Sequence, residues 1–61
     1  MVIKEVFFLC KEAISPNIRY IKALGNDMYV VHEIRKNNII KYTLNVVDNK
    51  INILEESEQA H

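Results

Sequence analysis

Three clusters of turn-forming residues punctuate the second half of this chain, and nothing else in the sequence restricts its fold as tightly. They are Gly25-Asn26-Asp27, Lys36-Asn37-Asn38 and Asp48-Asn49. Gly, Asn and Asp tolerate the positive φ that tight hairpin turns require. The segments between them are rich in Val, Ile, Tyr and Thr, which suit a pleated, half-buried surface. Residues from about Met28 to Leu54 therefore read as consecutive antiparallel strands.

Register tests this reading. A two-residue loop at Asp48-Asn49 pairs Val47 with Lys50, Val46 with Ile51, Asn45 with Asn52 and Leu44 with Ile53. One face is then apolar and the other polar, as a one-sided sheet needs. At the middle turn two registers compete. A loop at Asn37-Asn38 buries Tyr29 and Val31 but aims Glu33 and Arg35 at the same face. A loop over Lys36–Asn38 buries Met28, Val30 and Ile34 and turns His32 inward. The second gives the better apolar match and is preferred on that ground.

The first half is ambiguous. Ile18-Arg19-Tyr20-Ile21 suits a strand, although Ser15-Pro16 is a sound helix start and Gly25 a sound helix stop. Between Val2 and Cys10, Ile3, Val6, Phe7, Cys10 and Ile14 fit helical spacing. The run Val6-Phe7-Phe8-Leu9-Cys10 is apolar on all sides, however, and a strand buried on both faces is the simpler expectation. Glu55 to His61 lacks strand-forming residues and reads as a frayed tail.

With 61 residues, the chain has room for one small core, and domains of this size often rely on disulfides, a metal or a partner. Cys10 is the single cysteine, so no internal disulfide forms. The expected division is one small domain over residues 1–55 and a flexible polar tail over 56–61. The apolar run is too short to cross a bilayer and lacks a cleavage site, so neither membrane nor export is expected. An unpaired cysteine then points to the cytoplasm.

No constellation for catalysis stands out. Cys10 has no base beside it and reads as a small buried apolar side chain. His32 with Cys10 lacks a third, orienting residue. Cys10, His32 and His61 do not make a zinc set. Glu33 and Arg35 read as a surface ion pair worth at most about 1 kcal/mol. Glycine occurs once, at Gly25, which excludes a glycine-rich phosphate loop. No enzyme activity, cofactor or metal is expected.

Two surfaces remain. Tyr20, Tyr29 and Tyr42 lie in sequence near Arg19, Lys22, Arg35, Lys36 and Lys41, a combination that small β domains use on single-stranded nucleic acid. The formal net charge is zero, which weakens that reading. The N-terminal run is the other surface: as a strand it would present apolar side chains both ways, and a partner or second copy would cover one set. The sequence thus points to a mainly β protein, a small antiparallel meander of about four or five strands able to curl into a barrel. The alternative is α+β, one helix on a sheet of about three or four strands. The expected function is a non-enzymatic protein–protein interaction module (adaptor, inhibitor or regulator), self-associating or docking on another protein. Its candidate surface comprises Phe7, Phe8, Leu9, Arg19, Tyr20, Arg35, Lys36 and Lys41. Single-stranded nucleic-acid binding through the basic and tyrosine set is the alternative.

Overall fold

The computed structural model describes residues 2–60. One helix, α1 (Ile3–Ala13), precedes four strands: β1 (Ile18–Gly25), β2 (Met28–Arg35), β3 (Asn38–Val47) and β4 (Lys50–Ala60). The strands form a single antiparallel sheet in the order β1-β2-β3-β4. The meander expectation holds, with the helix of the α+β alternative and without closure into a barrel.

The N-terminal segment is a helix, which corrects the strand expected there. Helical spacing decides the outcome: Val6 and Cys10, one turn apart, are fully buried, with Phe7, Leu9 and Ile14 packed around them. Glu5 in the first turn and Lys11 in the last suit the helix dipole. The Lys11 ammonium also lies 4.9 Å from the Phe7 ring centroid, one turn away. Residues that look apolar on all sides of a strand are thus sorted by the helix, which leaves Phe8 on the solvent side, 53% exposed. Pro16 follows the helix in a turn, where the Asn17 N–H donates to Ser15 Oγ at 3.1 Å.

The outer two hairpins turn on Asn26-Asp27 and Asp48-Asn49, all four with φ between 53° and 61°. This is the conformation those side chains tolerate best among non-glycine residues. The register of the β3–β4 hairpin near its turn is the expected one, including Asn45 opposite Asn52. The β2–β3 register is neither of the two weighed. Arg35 pairs with Asn38, so the loop is Lys36-Asn37 and Lys36 takes the positive φ of 55°. Tyr29, Val31 and Glu33 face the helix, and His32 faces away, contrary to the preferred reading. The apolar match was outweighed because the inward carboxylate of Glu33 finds full polar partnership, described below.

Strand β4 corrects the expected tail. It runs to Ala60, with Glu55 to Ala60 paired to Thr43 through Asn38. Backbone pairing with the long β3 continues although the side chains are polar; residue 61 lies outside the described residues. The ladder slips between Thr43 and Leu44: Leu44 faces Ile53, but Thr43 faces Glu55. Leu54 is therefore the extra residue of a β-bulge.

The core lies between the sheet and α1, which runs closest to β1 and reaches β4. Val6, Cys10, Ile18, Val31, Ile40 and Leu44 are its fully buried side chains. Burial alternates along β2 and β3, so among the described residues nothing covers the opposite face of the sheet.

Candidate functional site

Pairing places the residues of the uncovered face in rows across the strands. One row is Lys22–Val30–Thr43–Glu55 and the next is Tyr20–His32–Lys41–Ser57. A third is Ile34–Ile39–Gln59, and on the other side Met28 lies in line with Asn45 and Asn52. The centre, on β2 and β3, is mostly apolar: Met28, Val30, Ile34, Ile39 and Thr43 are half-buried and flank the His32–Lys41 pair. One edge carries Lys22 and the other Glu55.

Tyr20 and His32 stack across β1 and β2 with centroids 4.5 Å apart. Tyr20 is 44% exposed, so this flat aromatic pair is open on the face. His32 is held below its ordinary value of 6.5, first by partial burial and then by the Lys41 charge. It is neutral at pH 7 and presents a polar, uncharged edge. Asn45 Oδ1 is buried without a hydrogen-bond partner among the described residues.

The opposite, helix-covered face contains one polar cluster. Glu33 is only 4% exposed. The Tyr42 hydroxyl donates to its Oε1 at 2.6 Å. Arg35 donates from Nη2 to Oε1 at 3.2 Å and from Nε to Oε2 at 3.3 Å. Burial pushes the carboxyl up, but the Tyr42 and Ser15 hydroxyls and the Arg35 charge together hold it below its ordinary value. Burial first, and then the same contact, pushes Tyr42 up to about 12. The Glu33–Arg35 pair expected on the surface is therefore half interior: the acid is buried and the guanidinium is open. Nearby, the Asn38 amide donates to Glu58. All of these groups are satisfied within the chain, so the cluster reads as structural.

The residues singled out from sequence do not form one surface. Phe7 and Leu9 pack against the core from α1, and Phe8 is on the solvent side of that helix. Arg19 is the bulged residue of β1 and donates to the Ile18 carbonyl at 3.4 Å. Lys36 sits in the middle turn. Arg35 is in the helix-side row, whereas Lys41 is in the open-face row, so these two do not line a common surface. Tyr29 and Tyr42 are core residues. Only Tyr20 and Lys41 remain together, joined by His32 and Lys22. The open-face set Met28, Val30, Ile34 and Ile39 was missed because the preferred register turned Met28, Val30 and Ile34 inward.

Cys10 is buried and unpaired, and burial pushes its thiol up to about 11. It is a thiol at neutral pH and a poor nucleophile. Among the described residues no pocket opens, no group of three or more His, Cys, Asp or Glu gathers to hold a metal, and no helix is long and apolar enough to cross a membrane. No family model, curated protein or solved structure matches this chain.

Proposed function

We propose that this chain is a small non-enzymatic interaction module that binds protein through the open face of its sheet. The observation that carries this reading is the one-sided covering of the sheet. Helix α1 seals one face, while the other keeps Met28, Val30, Ile34 and Ile39 half-buried and framed by charged edges. Exposed apolar side chains gathered on one face and rimmed by polar groups are characteristic of association sites. The flat Tyr20–His32 stack adds aromatic area with little side-chain entropy left to lose. A reducing compartment such as the cytoplasm suits the unpaired Cys10.

The test is recovery of a specific protein on the immobilised chain, compared with the Val30→Glu/Ile34→Glu variant. Circular dichroism checks that the variant keeps its fold. A partner retained by the native chain and lost by the variant supports the reading. Equal recovery by both overturns it.

The Tyr20–His32 stack flanked by Lys22 and Lys41 also favours a second reading, single-stranded nucleic acid. Glu55 on the same face and the absence of net charge weigh against it. Oligonucleotide affinity falling steeply with salt is its signature.

A further inference from the structure

We infer that the partner of the open face is a second copy of this chain, packed sheet to sheet about a two-fold axis parallel to the strands. The inference rests on the interaction reading above and names the occupant of that face. A two-fold axis running between β2 and β3 carries each row onto itself reversed. In the row Lys22–Val30–Thr43–Glu55, Lys22 then lies over Glu55 of the second copy, and Glu55 over its Lys22. Val30 meets Thr43 in the centre. In the next apolar row Ile34 meets Ile39. His32 meets Lys41, with Tyr20 on the outer side of His32; the neutral imidazole avoids a clash of like charges there. The apolar rows and the charged Lys22 and Glu55 edges are thus self-complementary, as an isologous interface requires, and Lys41 is the charge that meets a neutral group.

Sheet twist does not spoil this match. Stacked sheets pack at about 30° to each other and roughly 10 Å apart. An edge residue roughly 7 Å from the axis is displaced by about 4 Å, within the reach of Lys and Glu side chains. Four strands by about eight residues cover on the order of 500 Å² per copy, which lies in the weak range for protein interfaces. Edge-to-edge pairing is the less favoured way to associate. The β1 edge is interrupted by two register shifts, and β4 carries Glu55, Glu56 and Glu58.

The experiment is a charge-swap cycle read by sedimentation equilibrium from about 10 µM to 1 mM, a range suited to weak interfaces. The native chain is expected to dimerise within that range. Lys22→Glu and Glu55→Lys should each weaken the dimer by about tenfold, and the double swap should restore most of the loss. Within one chain these residues stand on opposite edges of the sheet, so rescue has no intramolecular route. Restoration by the double swap supports the arrangement; single and double variants that behave alike overturn it. A native chain that stays monomeric at 1 mM overturns self-association. If that monomer still retains a protein sensitive to Val30→Glu/Ile34→Glu, the interaction reading survives alone, and if it does not, both fall. A monomer that instead binds oligonucleotide in a salt-dependent, Lys22-dependent manner overturns the second-copy assignment in favour of nucleic acid.

Discussion

The two faces of the sheet are built from the same two central strands, yet they handle polarity in opposite ways. Toward the helix, β2 and β3 present Tyr29, Val31, Ile40, Leu44 and Val46, together with one carboxylate, Glu33, whose oxygens are occupied by Tyr42 and Arg35. Away from it they present Val30, Ile34 and Ile39 interleaved with His32, Lys41, Thr43 and Asn45. The covered face admits polarity only where it is fully hydrogen-bonded. The open face mixes apolar and polar groups freely and leaves the Asn45 amide oxygen without a partner among the described residues. The first pattern serves a single packed state, and the second is what a surface that changes its surroundings can tolerate.

The sharpest way to break this comparison is by truncation. Leu44→Ala removes a fully buried side chain from the covered face and should cost about 2–5 kcal/mol, where Val30→Ala on the open face of the monomer should cost under about 1.5 kcal/mol. Urea denaturation of the two variants at low protein concentration measures the gap. Equal losses would mean that both faces are core.

A smaller effect isolates the buried carboxylate. Tyr42→Phe removes the hydroxyl that donates to Glu33 and should cost about 1–3 kcal/mol. Because the folded-state pKa of Glu33 lies below its ordinary 4.5, its contribution is present above that value and fades as pH falls through the folded pKa. Stability curves should therefore decline in acid, and the decline attributable to this group should be smaller in Tyr42→Phe. At the alkaline end the sign reverses. Tyr42 holds its proton up to about 12 when folded, so native stability should fall between its ordinary 10 and that value, a slope that Tyr42→Phe lacks.

On the open face, Asn45→Thr replaces the unpartnered amide with a β-branched side chain. It should stabilise the monomer by up to about 1 kcal/mol in thermal melts; a loss would show that the amide is satisfied in solution. The smallest effect concerns His32. Its folded pKa is below 6.5, so the folded chain binds fewer protons than the unfolded one, and stability should fall slightly as pH drops below 6.5. His32→Gln should flatten that slope.

What the sequence disclosed followed from how local each determinant is. The Asp48-Asn49 hairpin was legible because its turn residues and its facing pairs agree, Val46 with Ile51 and Leu44 with Ile53. The middle hairpin was not, because its register depends on a distant solvation event. Glu33 can point inward only when Tyr42, on the next strand, is there to meet it. The N-terminal helix was half visible in the spacing of Ile3, Val6, Phe7, Cys10 and Ile14, and what decided it was a sheet face needing cover. The last stretch of β4 left no signal in its own side chains, since β3 supplies the backbone partners. The open face was misjudged with the middle register, which is why its apolar centre escaped notice while Tyr20 and Lys41 did not.

The bulge at Leu54 makes substitution and deletion there different kinds of change. Replacing the side chain alters one contact with solvent. Removing the residue would let Glu55 follow Ile53 in an unbroken ladder, with Glu55 still beside Thr43 on the open face and Glu56 still beside Tyr42 toward the helix. Because Leu54 is left out of the pairing, Glu56 sits beside Tyr42 and Glu55 is offered to a neighbour; drawing Leu54 into the ladder opposite Thr43 would reverse the two. The distal half of β4 would exchange its facing by a one-residue slip at the bulge, with its length and composition untouched.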